Sequence, residues 1–187
     1  MPEKASCRKV SPTQFKGLVS IFTGDGKGKT TAAIGTVVRA SGHGLRSYIA
    51  LFGKGGDFLR GEECALADIK NITFDACPQA GWLKRGYVTP EQISMAKSSL
   101  ERARKAMLGG DYDVIVLDEI NIAVDYNLIG IDEVVELLKD KPLNVELIMT
   151  GRNAHPRLIE MVDLVTEMVN VKHPFDKGLN AREGIDF

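Results

Sequence analysis

The residues best suited to chemistry form one short run, Gly24-Asp25-Gly26-Lys27-Gly28-Lys29-Thr30-Thr31. Glycines at alternate positions let backbone N–H groups turn inward around an anion. A helix beginning at that point adds the partial positive charge of its N-terminus. Lys29 is spaced to reach the terminal phosphates of a nucleotide, and the Thr30 hydroxyl to ligate Mg2+ or Mn2+. In the common pattern, G-x-x-x-x-G-K-[ST], the first glycine would fall on Thr23. Gly24 comes one residue late, so the loop is a shortened variant. A second group of oxygens follows the apolar run Val114-Ile115-Val116-Leu117, which ends in Asp118-Glu119. A strand of that kind carries its acids to the phosphate loop, where a hard cation needs oxygen ligands. Glu119 is the expected metal ligand, direct or through water, with Asp118 behind it. Thr150-Gly151-Arg152-Asn153 follows another apolar run. It either aims Arg152 and Asn153 at the nucleotide or second substrate, or forms a plain turn with Asn153 capping a helix.

These side chains need elements to hold them. Leu18–Phe22 is short, apolar and partly β-branched, as a buried strand requires. Thr30 to Ala40 has apolar residues at helical spacing and stops at Ser41-Gly42-His43-Gly44. Further strands are expected at Ser47–Phe52, Ile72–Phe74, Val114–Leu117, Val145–Met149 and Val165–Val171. Thr89-Pro90-Glu91-Gln92 opens a helix that runs to about Leu108: Thr89 caps it, Pro90 fits the first turn and Gln92 completes a capping box. Helices are also expected over Ile131–Leu138 and from Pro156 to near Asp163. Gly53 to Gly61 reads as a glycine-rich loop and Cys77 to Val88 as a long irregular connection. Met1 to Gln14 has no periodicity. The expected organisation is an arm over residues 1–16 and one nucleotide-binding α/β domain over 17–187. Strands alternating with helices predict a doubly wound, mainly parallel sheet with helices on both faces, of the phosphate-loop NTPase or RecA-like kind. Ligands of such sheets sit at the carboxyl ends of the strands.

Composition narrows the function further. The 187 residues are 44% hydrophobic and 26% charged, which is globular and excludes a disordered or collagen-like chain. Net charge is -1, so no broad basic field exists for nucleic acid or an anionic membrane. Cys7, Cys64 and Cys77 are scattered and odd in number, the usage of reduced thiols in a cytoplasm. The polar, basic start is no secretory signal, and no apolar run reaches the ~18–20 residues of a membrane span. The expected protein is soluble and cytoplasmic. His43, His155 and His173 each adjoin Gly or Pro and read as loop residues. A phosphate loop names no reaction. No acceptor-activating pattern accompanies it, and the residues alone lead to an NTP-binding α/β enzyme.

The string Phe22 to Ala33 resembles the loop of the phosphate-loop-type cob(I)alamin (corrinoid) adenosyltransferases, whose own form is this shortened one. The similarity continues at Arg39–Gly44, Phe52–Gly55, Asp113–Asn121, Thr150–Arg152, Asp163–Met168, Val171–Gly178 and Gly184–Phe187, nearly the whole chain from Gly17. The resemblance implies transfer of the 5′-deoxyadenosyl group of ATP to a Co(I) corrinoid with release of triphosphate. ATP and corrinoid are then substrates, and residues 24–31 bind the triphosphate. Lys29 and Glu119 are catalytic, and Thr30 and Glu119 hold the metal. It also implies a reducing flavoprotein or other electron donor, and a homodimer in which the arm covers a partner's site. The family strips the lower axial ligand from cobalt with a Phe and a Trp two residues apart. In Gln79-Ala80-Gly81-Trp82 only Trp82 is present, and it is the expected wedge on the corrinoid. A phosphotransferase or NTP hydrolase, or a non-catalytic nucleotide and corrinoid binder, would use the same loop without making triphosphate.

Overall fold

A computed structural model of the chain describes residues 16–52, 61–76 and 83–186. Six strands form one sheet: β1 (Val19–Thr23), β2 (Ser47–Leu51), β3 (Ile72–Ala76), β4 (Val114–Asp118), β5 (Glu146–Thr150) and β6 (Leu164–Glu167). Their order is β3-β2-β4-β5-β1-β6 and every pairing is parallel. The helices are α1 (Lys29–Gly42), α2 (Gly61–Ala67), α3 (Pro90–Leu108), α4 (Ile120–Asp125), α5 (Ile131–Asp140) and α6 (Pro156–Ile159). A 3-10 turn spans Pro174–Lys177. The expected doubly wound α/β architecture is present, and the described strands are parallel throughout.

The unbroken apolar runs follow from burial on both faces. Successive side chains of a strand point to opposite faces. Ile21, Ala50, Ile115, Leu117, Leu147 and Met149 pack in one cluster with Ala96, Leu100, Ala103 and Met107 of α3 and with Val134 and Leu137 of α5. Ile49, Val114, Val116 and Ile148 pack in a second cluster with Ala33 and Val37 of α1 and Leu66 of α2. Two layers of helices thus hold the central strands rigid from both sides. At the edge of the first cluster the buried Tyr48 phenol donates to Asp75 Oδ2 at 2.5 Å. Arg102 of α3 grips the same carboxylate at 2.8 and 3.1 Å. Burial first, and then the bond to Asp75, push the Tyr48 phenol well above its ordinary pKa.

The capping box is formed as expected. Thr89 Oγ1 accepts from Gln92 N at 3.2 Å, and Thr89 N donates to Gln92 Oε1 at 3.0 Å. Several boundaries differ from expectation. Gly61 opens α2 instead of closing a loop, and α4 follows β4 with only Glu119 between them. The expected helix from Pro156 to Asp163 is a single turn, and the expected strand Val165–Val171 pairs only through Glu167. All four β6 residues are exposed, so no apolar core prolongs that strand. Residues 1–15, the expected loop over 53–60, and residues 77–82 lie outside the described residues. So do Cys7, Cys77 and Trp82.

Candidate active site

Parallel pairing brings the carboxyl ends of the strands to one edge. Phe22 lies level with Thr150, and Leu51 with Asp118. The phosphate loop leaves β1 at this edge and runs directly into α1 at Lys29. Gly24 has φ 92°, and a Cβ there would stand 2.5 Å from Met168 O. A Cβ on Gly26 would stand 2.7 Å from Met168 O and 2.8 Å from Val169 O. The chain after β6 therefore presses on the loop too closely for any side chain. It is also bonded there: Met168 N donates to Thr23 O at 2.8 Å, and Gly26 N to Met168 O at 2.6 Å.

Lys29 is 9% exposed, and its Nζ donates to Gly24 O and Gly26 O at 2.7 Å each. Its ammonium thus sits inside the turn of the loop. Thr30 Oγ1 donates to Asp118 Oδ1 at 2.9 Å. The same carboxylate oxygen accepts from Thr150 Oγ1 at 2.6 Å, and Thr150 Oγ1 in turn accepts from Glu119 N at 2.9 Å. One buried carboxylate therefore ties α1, β4 and β5 together at the edge. The residue after it breaks the strand: Glu119 has φ 64°, in the left-handed region, and starts α4. Gly151, at φ 126°, makes room for it. A Cβ on Gly151 would meet Asn121 Cβ at 3.0 Å and Glu119 Oε2 at 3.2 Å.

The structure brings together most of the residues that the sequence singled out. Lys29, Thr30, Asp118 and Thr150 share one hydrogen-bonded edge with Gly24 and Gly26, and Glu119 adjoins it. Arg152 joins them: its guanidinium donates to Asp25 O at 3.4 Å and stands 3.8 Å from Asp25 Oδ1. Thr31 is exposed in the first turn of α1. Lys27 turns to the carboxyl-terminal tail, with Nζ donating to Ile185 O at 2.8 Å. Asn153 turns away, its Nδ2 donating to Asp125 Oδ2 at 2.9 Å. The helix cap is His155, whose Nδ1 accepts from Arg157 N at 3.2 Å, which removes the alternative in which Asn153 caps the helix. Asn153 sits at φ 56° in the turn before it. Thr150 opens the motif named in the sequence but has no role assigned there, because a hydroxyl at a strand end does not announce that it links Asp118 to Glu119. The cover provided by Met168 and Val169 is equally silent, since it is made by backbone.

The oxygens of Thr30 and Glu119 suit a hard cation such as Mg2+ or Mn2+. Among the described residues no cluster of three His, Cys, Asp or Glu could hold a metal.

Comparison with known proteins gives concordant matches. The family model described as ATP:corrinoid adenosyltransferase BtuR/CobO/CobP matches residues 15–187. A corrinoid adenosyltransferase from a Sinorhizobium species is 37% identical over 193 residues, covering 99% of this chain and 88% of that protein. The corrinoid adenosyltransferase of Escherichia coli K12 is 33% identical, covering 99% and 93%. The corrinoid adenosyltransferase CobA of Salmonella typhimurium is 31% identical, again covering 99% and 93%.

Proposed function

The chain belongs to the ATP:corrinoid adenosyltransferase family, and on that premise we propose that it transfers the 5′-deoxyadenosyl group of ATP to a Co(I) corrinoid, cobalamin or a precursor, and releases triphosphate. The observation that carries this reading is the phosphate loop with Lys29 seated inside it and Thr30 tied to Asp118. In the reaction the electron pair of Co(I) forms the bond to C5′. The C5′–O bond breaks and its pair leaves on the triphosphate, so cobalt ends as an alkylated Co(III). No proton moves, and no general base is required. What needs stabilising is the charge that grows on the leaving group.

Residues 24–31 are the proposed binding site for that group. Apart from the Gly26 N–H, which Met168 O holds, their backbone N–H groups, the N-terminus of α1 and the Lys29 ammonium would serve as donors organised before the reaction begins, the arrangement that lowers such a barrier most. Lys29 would exchange its carbonyl partners for phosphate oxygens. Asp118 accepts the hydrogen bond of the Thr30 hydroxyl and so leaves the lone pairs of Oγ1 for a cation, with Glu119 as the other expected ligand. Bound Mg2+ or Mn2+ would supply further positive charge at the triphosphate. Arg152, held against Asp25, fixes the outer side of the loop.

On the corrinoid side, Trp82 is the proposed wedge that displaces the lower axial ligand, and a reducing flavoprotein or another donor supplies the electron that makes Co(I). A homodimer is the proposed assembly. It is supported by the position of β6 at the edge of the described strands and by the exposed apolar residues Leu164, Val165, Val169 and Phe175. No described helix is long and apolar enough to cross a membrane. The deciding experiment incubates the protein with MgATP and chemically reduced cobalamin without oxygen. Light-sensitive adenosylcobalamin and triphosphate in equal amounts are expected. Phosphate or a phosphorylated product in their place would overturn the proposal, as would binding of both substrates unchanged.

A further inference from the structure

The carboxyl-terminal turn lies against the phosphate loop, although 159 positions separate Lys27 from Asp186. Lys27 donates to Ile185 O at 2.8 Å and forms an ion pair with the Asp186 carboxylate. Asp186 is itself held in place: its Oδ2 accepts from Arg182 N at 2.9 Å and from Arg182 Nε at 3.1 Å. The bond from Lys27 first, and those from Arg182 next, keep its carboxyl far below the usual carboxylate range. The Asp186 carboxylate is therefore charged across the neutral range.

Every charged side chain between Gly24 and Lys29 is thus engaged. Asp25 faces Arg152, Lys29 is turned into the loop, and Lys27 is fastened to the tail. The two fastenings at positions 25 and 27 flank Gly26, whose own N–H is bonded to Met168 O. Glycine loses more conformational freedom on ordering than any other residue. Donors help a leaving group most when they are fixed beforehand. A loop of alternating glycines therefore gains most from ties outside itself.

We infer that Asp186 is a positioning residue: acting through Lys27, it holds the backbone of Gly26–Gly28 in the shape that receives the triphosphate. The inference rests on the reading of residues 24–31 as the triphosphate cradle. An exposed ion pair adds little to global stability. Its effect belongs to the order of the loop, and hence to nucleotide affinity.

The test is calorimetric titration of the full-length protein with MgATP, without corrinoid, alongside thermal melts. Asp186→Asn and Lys27→Met should each weaken binding by about 2- to 5-fold, the scale of an exposed pair. Their melting temperatures should match wild type. The double variant should bind no more weakly than the weaker single, because the two changes break one interaction. Asp186→Glu should restore wild-type affinity. Additive losses, an unaffected Asp186→Asn, or a loss that follows a lowered melting temperature would overturn the inference. So would tighter binding by Asp186→Asn, the behaviour of a latch that competes with the nucleotide. A wild-type chain that bound no MgATP would overturn the reading of the loop and this inference with it. The other adverse results overturn the inference alone.

Discussion

Replacing Asp118 by asparagine separates the role of its charge from that of its shape. One carboxylate oxygen accepts from Thr30 Oγ1 at 2.9 Å and from Thr150 Oγ1 at 2.6 Å. Hydrogen bonds to a charged group contribute about 1.5–3 kcal/mol, against about 0.5–1.5 kcal/mol for neutral ones. The amide keeps an acceptor oxygen, so the change weakens each bond by roughly 1–2 kcal/mol. On global stability this loss is largely offset, because a side chain that is 2% exposed no longer has to bury a charge. On the cation no such offset exists. A Thr30 hydroxyl held less firmly by Asp118 presents its lone pairs less often, and 1–2 kcal/mol is a factor of about 5–30. The half-saturating Mg2+ concentration at saturating ATP should rise by that factor in Asp118→Asn, with little change in the urea midpoint. Thr30→Ser, which retains the hydroxyl, should stay close to wild type. An Asp118→Asn enzyme with unchanged Mg2+ dependence but a collapsed kcat would refute the reasoning and place Asp118 on the reacting atoms.

Three further expectations follow from the same geometry. Lys29→Ala removes one donor of the proposed triphosphate cradle, so kcat for adenosylcobalamin formation should fall by about 10²–10³; a rate within a few-fold of wild type would remove Lys29 from the mechanism. Gly26→Ala drives a Cβ into the carbonyls of Met168 and Val169, which are backbone and cannot rotate away; it should raise the Kd for MgATP at least as much as Asp186→Asn, measured by the same titration. Tyr48→Phe should cost about 1–2 kcal/mol in urea unfolding through the lost bond to Asp75. Because the folded phenol titrates above its unfolded value of about 10, that stability is fully present below pH 10 and is lost as the pH rises through the folded value. A deficit in Tyr48→Phe that vanished already at pH 8 would contradict this.

The parallel architecture was legible because each central strand is buried on both faces and so is written as a continuous apolar run, Val114–Leu117 most clearly. The Thr89–Gln92 box was legible because both of its bonds are local. The phosphate loop was recognisable from its glycines, yet its closest neighbours are the carbonyls of residues 168 and 169, and backbone leaves no trace in composition. α4 has no signal in the sequence: it is six residues long and starts from a left-handed glutamate, whose N–H is bonded to Thr150 Oγ1 and beside which only a glycine fits at position 151. The valines after Leu164 alternate like those of a longer strand, yet β6 stops at Glu167, and all four of its residues are exposed, so neither face has a core to prolong it. The pairing of Lys27 with Asp186 joins the two ends of the chain. Only tertiary structure makes them neighbours.

The alternation of β4 between two helical layers has a further consequence. Val114, Val116 and Asp118 are even-numbered and point with Ile148 and Thr150 toward the layer that contains α1 and therefore Thr30. Ile115 and Leu117 point the other way. The strand thus works as a parity counter. Adding or deleting one residue between Asp113 and Asp118 would send the acid into the apolar layer formed with α3 and α5, while a change of two would return it to the nucleotide side one step along the edge. Length variation in this strand, natural or engineered, can therefore preserve the site only in steps of two, whereas the connection ahead of α3 carries no such arithmetic.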